Sequence, residues 1–158
     1  MAGHGIPDLE VVDGAGLTLG IAVSRWHSDL TEQLLERATQ AAKACGVEHV
    51  TVARVAGSVE LPVVAQALAR RHDAVVALGV VIRGDTAHFE VVCQAVTEGL
   101  TRVALDESRP VAHGVLTVDT YEQAHDRAGF PDSPEDKGWD ATVAALDAVL
   151  TLRRVLRS

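Results

Sequence analysis

Aromatic side chains are scarce: two Trp, two Phe and one Tyr, 3% of a 158-residue chain that is 47% apolar. Trp26, Phe89, Tyr121, Phe130 and Trp139 are too few to fill an interior, so Ala, Val and Leu must build it. That aliphatic content excludes disorder. Cysteine is nearly absent too. Cys45 and Cys93 stand far apart, each inside an apolar helical pattern, which excludes a disulfide framework, a zinc site and a redox pair. Both are expected to be small buried hydrophobes in a reducing compartment. No basic cluster exceeds Arg153-Arg154, and the formal charge is −8, so a nucleic-acid partner is excluded. An anionic substrate must then be held by a few local donors against the overall field. The longest apolar run, Ala74 to Ile82, has nine residues, well short of the ~20 that a membrane helix needs. No basic n-region precedes an apolar h-region at the start of the chain. The expectation is a soluble, cytoplasmic protein without a membrane partner. At this length it is one domain over 1–158, able to bury roughly 68–70% of its unfolded surface without a staple.

What is present is an alternation. Residues 1–15, with Gly3, Gly5, Pro7 and Gly14, read as an extended arm whose Leu9–Val12 segment can add to an edge strand, including one of another subunit. Leu17 to Val23 reads as the first core strand. Ser28 is the expected N-cap of a helix with Asp29 and Glu32 in its first turn, Leu30, Leu34, Leu35, Ala38, Ala41 and Cys45 on one face, and Gly46 at C′. Val50 to Val55 is a strand, and Pro62 opens a short helix at its first position. Ala74 to Ile82 has the unbroken apolar pattern of a strand buried on both faces. A helix is expected from Thr86 to about Leu100 and a strand from Val111 to Val118. Asp119 with Glu122 makes a capping signature for a helix through Arg127. A loop over 129–134 leads to a last helix with Ser133 as N-cap, Pro134 at N1, and Trp139, Val143, Leu146 and Leu150 on its apolar face. Four strand–helix alternations imply a parallel sheet with helices on both faces. Ligands of such sheets bind beyond the carboxyl ends of the strands. Three segments follow strands and so converge there: Ser24 to His27, Ala56 to Pro62, and Arg83 to His88.

Gly84-Asp85-Thr86 lies between the buried strand and a helix. That is either an ordinary turn or an anion site in which backbone N–H groups and the helix N-terminus replace positive charge. Asp85 opposes an anion unless its side chain turns away. Arg83 either donates to a phosphate or ends the strand at the surface. His88, beside that turn, is the natural proton carrier near neutral pH. Glu60, in Gly57-Ser58-Val59-Glu60-Leu61-Pro62, either binds ligand hydroxyls or is a first-turn helix carboxylate. Trp26 is either simple packing or a plate for a flat heterocycle. Gly14-Ala15-Gly16 precedes a strand, so it is no dinucleotide fingerprint, and no GxSxG elbow, phosphate-binding P-loop or metal-ligand spacing occurs.

Together these motifs resemble the 6,7-dimethyl-8-ribityllumazine synthases of riboflavin biosynthesis, in their actinobacterial form. The segments that carry the resemblance are Gly57 to Pro62, Ala77 to Glu90, Gly114 to Thr117, Glu122 to Gly129, and Lys137-Gly138, within about Leu17 to Arg154. The resemblance implies a three-layer αβα sandwich with a four-stranded parallel sheet, flavodoxin-like in arrangement. It implies condensation of 5-amino-6-(D-ribitylamino)uracil with 3,4-dihydroxy-2-butanone 4-phosphate, releasing phosphate and water, with no cofactor and no metal. By the same resemblance His88 shuttles protons, Trp26 stacks on the uracil, and Ser58, Val59 and Glu60 hold the ribityl chain and ring edge. Val80, Val81 and Ile82 form the wall, and Gly84, Asp85 and Thr86 cradle the phosphate. The resemblance also implies a homopentamer with sites between adjacent subunits, so that His113, Arg127 and Lys137 come from a neighbour, Arg127 pairing with the phosphate. Two positions depart from the family pattern: His113 stands where an aromatic or amide is commoner, and Asp140 where an amide is expected. The 129–137 segment is longer than in capsid-forming members, which associates the chain with free pentamers. The alternatives on the same scaffold are a non-catalytic lumazine or flavin carrier and an enzyme that joins two lumazines into riboflavin.

Overall fold

Four runs rich in Val, Ile, Leu and Ala form a sheet in the computed structural model, which describes residues 4–158. They are β1 (Thr18–Ser24), β2 (His49–Val55), β3 (Ala74–Ile82) and β4 (Val111–Val118). All neighbours pair parallel, in the order β2-β1-β3-β4. The central β3 buries its first seven residues completely, as its unbroken apolar run predicts. Helices α1 (Ser28–Ala44) and α5 (Lys137–Arg157) cover one face, and α2 (Leu61–Ala69) and α3 (His88–Glu107) the other. The short α4 (Tyr121–His125) follows β4 on the α1 side, where the Tyr121 hydroxyl donates to Asp29. This is the expected α/β sandwich.

Two apolar clusters result, one on each face of the sheet. Leu30, Leu34, Leu146 and Val149 meet Ile21, Val76 and Leu78 on one side, and Leu61, Ala65, Val96 and Leu100 meet Ala22, Val75 and Ala77 on the other. None of the five aromatics is buried, so the interior is aliphatic as its composition requires. Each fully buried Leu or Val contributes about 1.5–3 kcal/mol. Cys45 sits in this core, but Cys93 is only half-buried, because its side of α3 faces outward.

Several boundaries differ from expectation, each for a local reason. His27, in the left-handed region (φ 56°, ψ 58°), is the N-cap of α1, so Ser28 is already helical. Gly46 (φ 79°) does stop that helix. Pro62 is the second residue of α2 rather than the first, and α3 begins at His88, two residues after Thr86. Thr120 caps α4 in place of Asp119, accepting from Gln123 N at 3.2 Å, while the Gln123 side chain reaches back to Thr120 N. The last helix starts at Lys137 with Asp136 as its N-cap. Ser133 is committed elsewhere: its hydroxyl accepts from Phe130 N and donates to His125 O, closing the loop on itself. Among the described residues of the arm, 6–14 form no strand, and Leu9 and Val12 pack on the core. Gly3, the first glycine of that arm, lies outside the described residues. No helix among the described residues is long and apolar enough to cross a membrane.

Candidate active site

The carboxyl ends of β1, β2 and β3 converge on one cleft. Arg25 N donates to Val55 O at 2.9 Å, tying the exit of β1 to that of β2 and placing Trp26 over the gap. Trp26 is 66% exposed, an unusual state for the largest apolar side chain. After β2, a 3-10 turn over Ser58–Glu60 folds the Glu60 carboxylate back to accept from Gly57 N at 3.1 Å. A Cβ at Gly57 would lie 3.2 Å from Glu60 Oε2 and 3.4 Å from Trp26 Cδ1, so the bare glycine brings carboxylate and indole together. Val80, Val81 and Ile82 supply the wall from β3, and His88 and Val92, one helical turn apart on α3, close the far side. The open cleft has a volume of about 280 Å³ and a mostly apolar lining, with Ser58, His27 and His88 among its polar side chains. That suits a small flat ligand.

The cleft floor is unusual. Ser24 and Ser58 are 2% and 6% exposed, and neither hydroxyl has a hydrogen-bond partner. Both face Gly79, where a Cβ would come within 2.7 Å of Ser58 Oγ and 3.0 Å of Ser24 Oγ. Only glycine lets β3 pass beneath these hydroxyls.

The Gly84–Thr86 turn is exposed and flanks the cleft through His88, whose backbone N donates to Thr86 Oγ1 at 3.3 Å. Asp85 is exposed in that turn, outside the cleft lining. Arg83 takes the surface role. Its Nε donates to Asp119 at 2.8 Å, it pairs with Glu90, and its guanidinium lies 4.4 Å from the Phe89 ring centroid. The hydrogen bond from Arg83 holds the Glu90 carboxyl below its ordinary pKa. Arg83 thus clamps the end of β4 to the first turn of α3.

Three expected site residues lie elsewhere in this chain. His113 sits on β4 opposite Ala77, well before the strand's carboxyl end, with Nε2 3.1 Å from Thr97 Oγ1. Its edge is exposed, yet packing against α3 desolvates the ring enough to lower its pKa. Arg127 and Lys137 flank the connection between α4 and α5, which rests on α1 through Gln33 Nε2 to Gly129 O at 2.8 Å. They occupy the helical layer opposite α3 and His88. Arg127 Nη1 donates to Gln123 O at 2.8 Å, and Glu135 lies between Arg127 and Lys137. Asp140, one turn into α5, has its carboxyl pKa raised by burial and then by Asp136.

One chain therefore gathers Trp26, Ser58, Val59, Val80, Val81, Ile82 and His88 around the cleft, with Glu60 beside it. His27, Gly57 and Val92 also line it without having been singled out. His27 and Gly57 belong to the segments that follow β1 and β2, and Val92 follows from His88 by the four-residue helical repeat.

A parallel sheet with an apolar cleft at its carboxyl edge, an exposed tryptophan and a histidine at a helix start define an α/β protein with a cleft shaped for a small molecule. The chain belongs to the 6,7-dimethyl-8-ribityllumazine synthase family, whose sequence profile matches residues 16–153. It is 67% identical over 158 residues to the 6,7-dimethyl-8-ribityllumazine synthase of Salinispora arenicola (strain CNS-205), covering 100% of this chain and 95% of that one. The enzyme of the same name from Thermobifida fusca (strain YX) is 62% identical over 98% of this chain and 91% of its own length. The one from Mycobacteroides abscessus is 60% identical over 98% and 97%.

Proposed function

We propose that the chain condenses 5-amino-6-(D-ribitylamino)uracil with 3,4-dihydroxy-2-butanone 4-phosphate to 6,7-dimethyl-8-ribityllumazine, the penultimate step of riboflavin biosynthesis. The observation that carries this reading is the cleft itself, which sets His88, Trp26 and Ser58 around one volume in a chain of this family. The enzyme is a transferase. The pyrimidine stacks on Trp26, with Ser58, Val59 and Glu60 at its ribityl chain and edge and Val80 to Ile82 behind it. The phosphate of the second substrate lies at the Gly84–Asp85–Thr86 turn, where backbone N–H groups and the start of α3 meet its charge. His88 then stands between ring and phosphate. It carries protons as the imine forms, phosphate leaves and the ring closes with loss of water, a role that typically contributes about 10²–10⁴-fold. Holding the two reactants together contributes much of the rest.

The functional unit in this reading is a homopentamer whose sites lie between adjacent subunits, in the cytoplasm. Arg127 and Lys137 lie outside the lining of their own chain's cleft, and an acidic protein needs a cation at a phosphate site. Both points support delivery of these residues, with His113, to a neighbour's cleft. Residues 6–14 of the N-terminal arm, which form no strand in their own chain, are available to extend an adjacent subunit's sheet. Mixing the protein with both substrates should produce the lumazine's absorbance and one phosphate per turnover. A rate no higher than the uncatalysed background would overturn the reading.

A further inference from the structure

Glu135 stands in an arrangement that the proposed reaction does not account for. Backbone hydrogen bonds within the connection between α4 and α5 set the spacing of three charged residues. Ala128 and Asp136 form an antiparallel bridge, Glu135 N donates to Asp126 O at 3.0 Å, and Lys137 N donates to Arg127 O at 2.9 Å. These bonds place Arg127, Glu135 and Lys137 side by side whatever their side chains do. The Glu135 carboxylate, 16% exposed, then lies between two cations, with Oε2 3.4 Å from Arg127 Nε and Oε1 3.7 Å from Lys137 Nζ. Neither separation is that of a close charge-assisted hydrogen bond, and Oε1 is buried without a hydrogen-bond partner. The neighbouring pair of Arg37 and Asp136 is different: it closes to 2.8 Å and 2.9 Å with a hydrogen bond. The same loop thus holds one tight ion pair and one loose one. Arg127 does not depend on the loose one for its position, because Nη1 is anchored on Gln123 O at 2.8 Å.

We propose that Glu135 is a resident counter-anion for Arg127 and Lys137 that sets how tightly this cation pair holds a phosphate group. The inference rests on the reading of Arg127 as the phosphate cation. An under-bonded carboxylate between two cations neutralises part of their charge while the site is empty and repels an arriving phosphate dianion once it fills. In the partly buried environment of such a loop, one like charge a few ångströms away is worth about tenfold or more in affinity. A site that must release inorganic phosphate at each turnover gains from that repulsion, since a bare pair of cations would retain the product. A merely structural carboxylate has the opposite signature: its loss would loosen the cations and weaken anion binding.

The test is calorimetric titration of full-length protein with inorganic phosphate at fixed ionic strength. It compares wild type, Glu135→Gln, Glu135→Ala, Arg127→Ala and the Glu135→Gln/Arg127→Ala double variant. Glu135→Gln and Glu135→Ala should each bind phosphate about tenfold tighter, and most of that gain should vanish in the double variant. If Arg127→Ala weakens phosphate binding while neither Glu135 variant tightens it, the inference is overturned and the phosphate site stands. If Arg127→Ala leaves phosphate affinity unchanged, the assignment of Arg127 falls, and the inference falls with it.

Discussion

Trp26 carries a large exposed apolar ring at the mouth of the cleft, and His88 faces it from the first turn of α3. Replacing His88 with Ala should lower kcat by about 10²–10⁴-fold with little change in Tm, since the side chain is exposed and supports no packing. Stopped-flow turnover together with a thermal melt checks both halves of that statement. Asp140 allows a second test, with a defined pH dependence. Burial, and then Asp136, raise its carboxyl pKa in the folded chain. Its ionised form is therefore disfavoured by folding, and its contribution to stability is best in acid and lost as pH rises through the raised pKa. Asp140→Asn, neutral throughout, is expected to raise Tm by about 1–3 °C at pH 7. The gain should shrink as pH falls through the raised pKa, where the wild-type carboxyl also takes up its proton. A gain that persists unchanged in acid would show that charge is not its cause.

At the level of elements, β3 controls the site. Gly79→Ala would drive a methyl group into Ser58 and Ser24 from below, with Leu61 3.3 Å away to block escape. The expected cost is about 1–3 kcal/mol of stability, measured by urea unfolding, together with a raised KM for the pyrimidine. Thr120→Ala removes the cap of α4 and should cost about 1 kcal/mol; a melt compared with that of a Thr101→Ala control, exposed on α3, separates the cap from a generic loss. The four strands were legible because hydrophobic periodicity and turn residues agreed, and β3 and β4 fall at the expected bounds. Helix starts were less legible. Ser28, Ser133 and Asp119 all have N-cap chemistry, but the chain uses a left-handed His27, a loop-closing role for Ser133, and Thr120. Side-chain chemistry nominates several caps within a few residues, and tertiary packing selects among them.

For the molecule as a whole, half of the proposed site was legible in one chain and half was not. Trp26, Ser58 and His88 follow strands that converge, so topology alone gathers them. Arg127, Lys137 and His113 lie where no reading of a single chain joins them to that cleft, and the resemblance alone nominated them. If neighbours complete each site, Arg127→Ala should raise the KM of the phosphate-bearing substrate while leaving that of the pyrimidine near its wild-type value. Co-expression of His88→Ala and Arg127→Ala chains should then restore activity, to roughly a quarter of the sites on random mixing in a closed ring. A mixture no more active at limiting phosphate-bearing substrate than its two parents would place Arg127 with its own chain's His88, or outside the site. Sedimentation should give a pentamer, with no larger shell. The aliphatic interior also has an optical consequence. With no aromatic ring fully buried, near-ultraviolet absorption and emission originate at Trp26 by the cleft and at rings such as Trp139 and Phe130 packed against the edge of the core, whereas the peptide signal comes from the sheet and helices. The two signals monitor different parts of one molecule, and a saturating ligand should quench Trp26 emission while leaving far-ultraviolet dichroism unchanged.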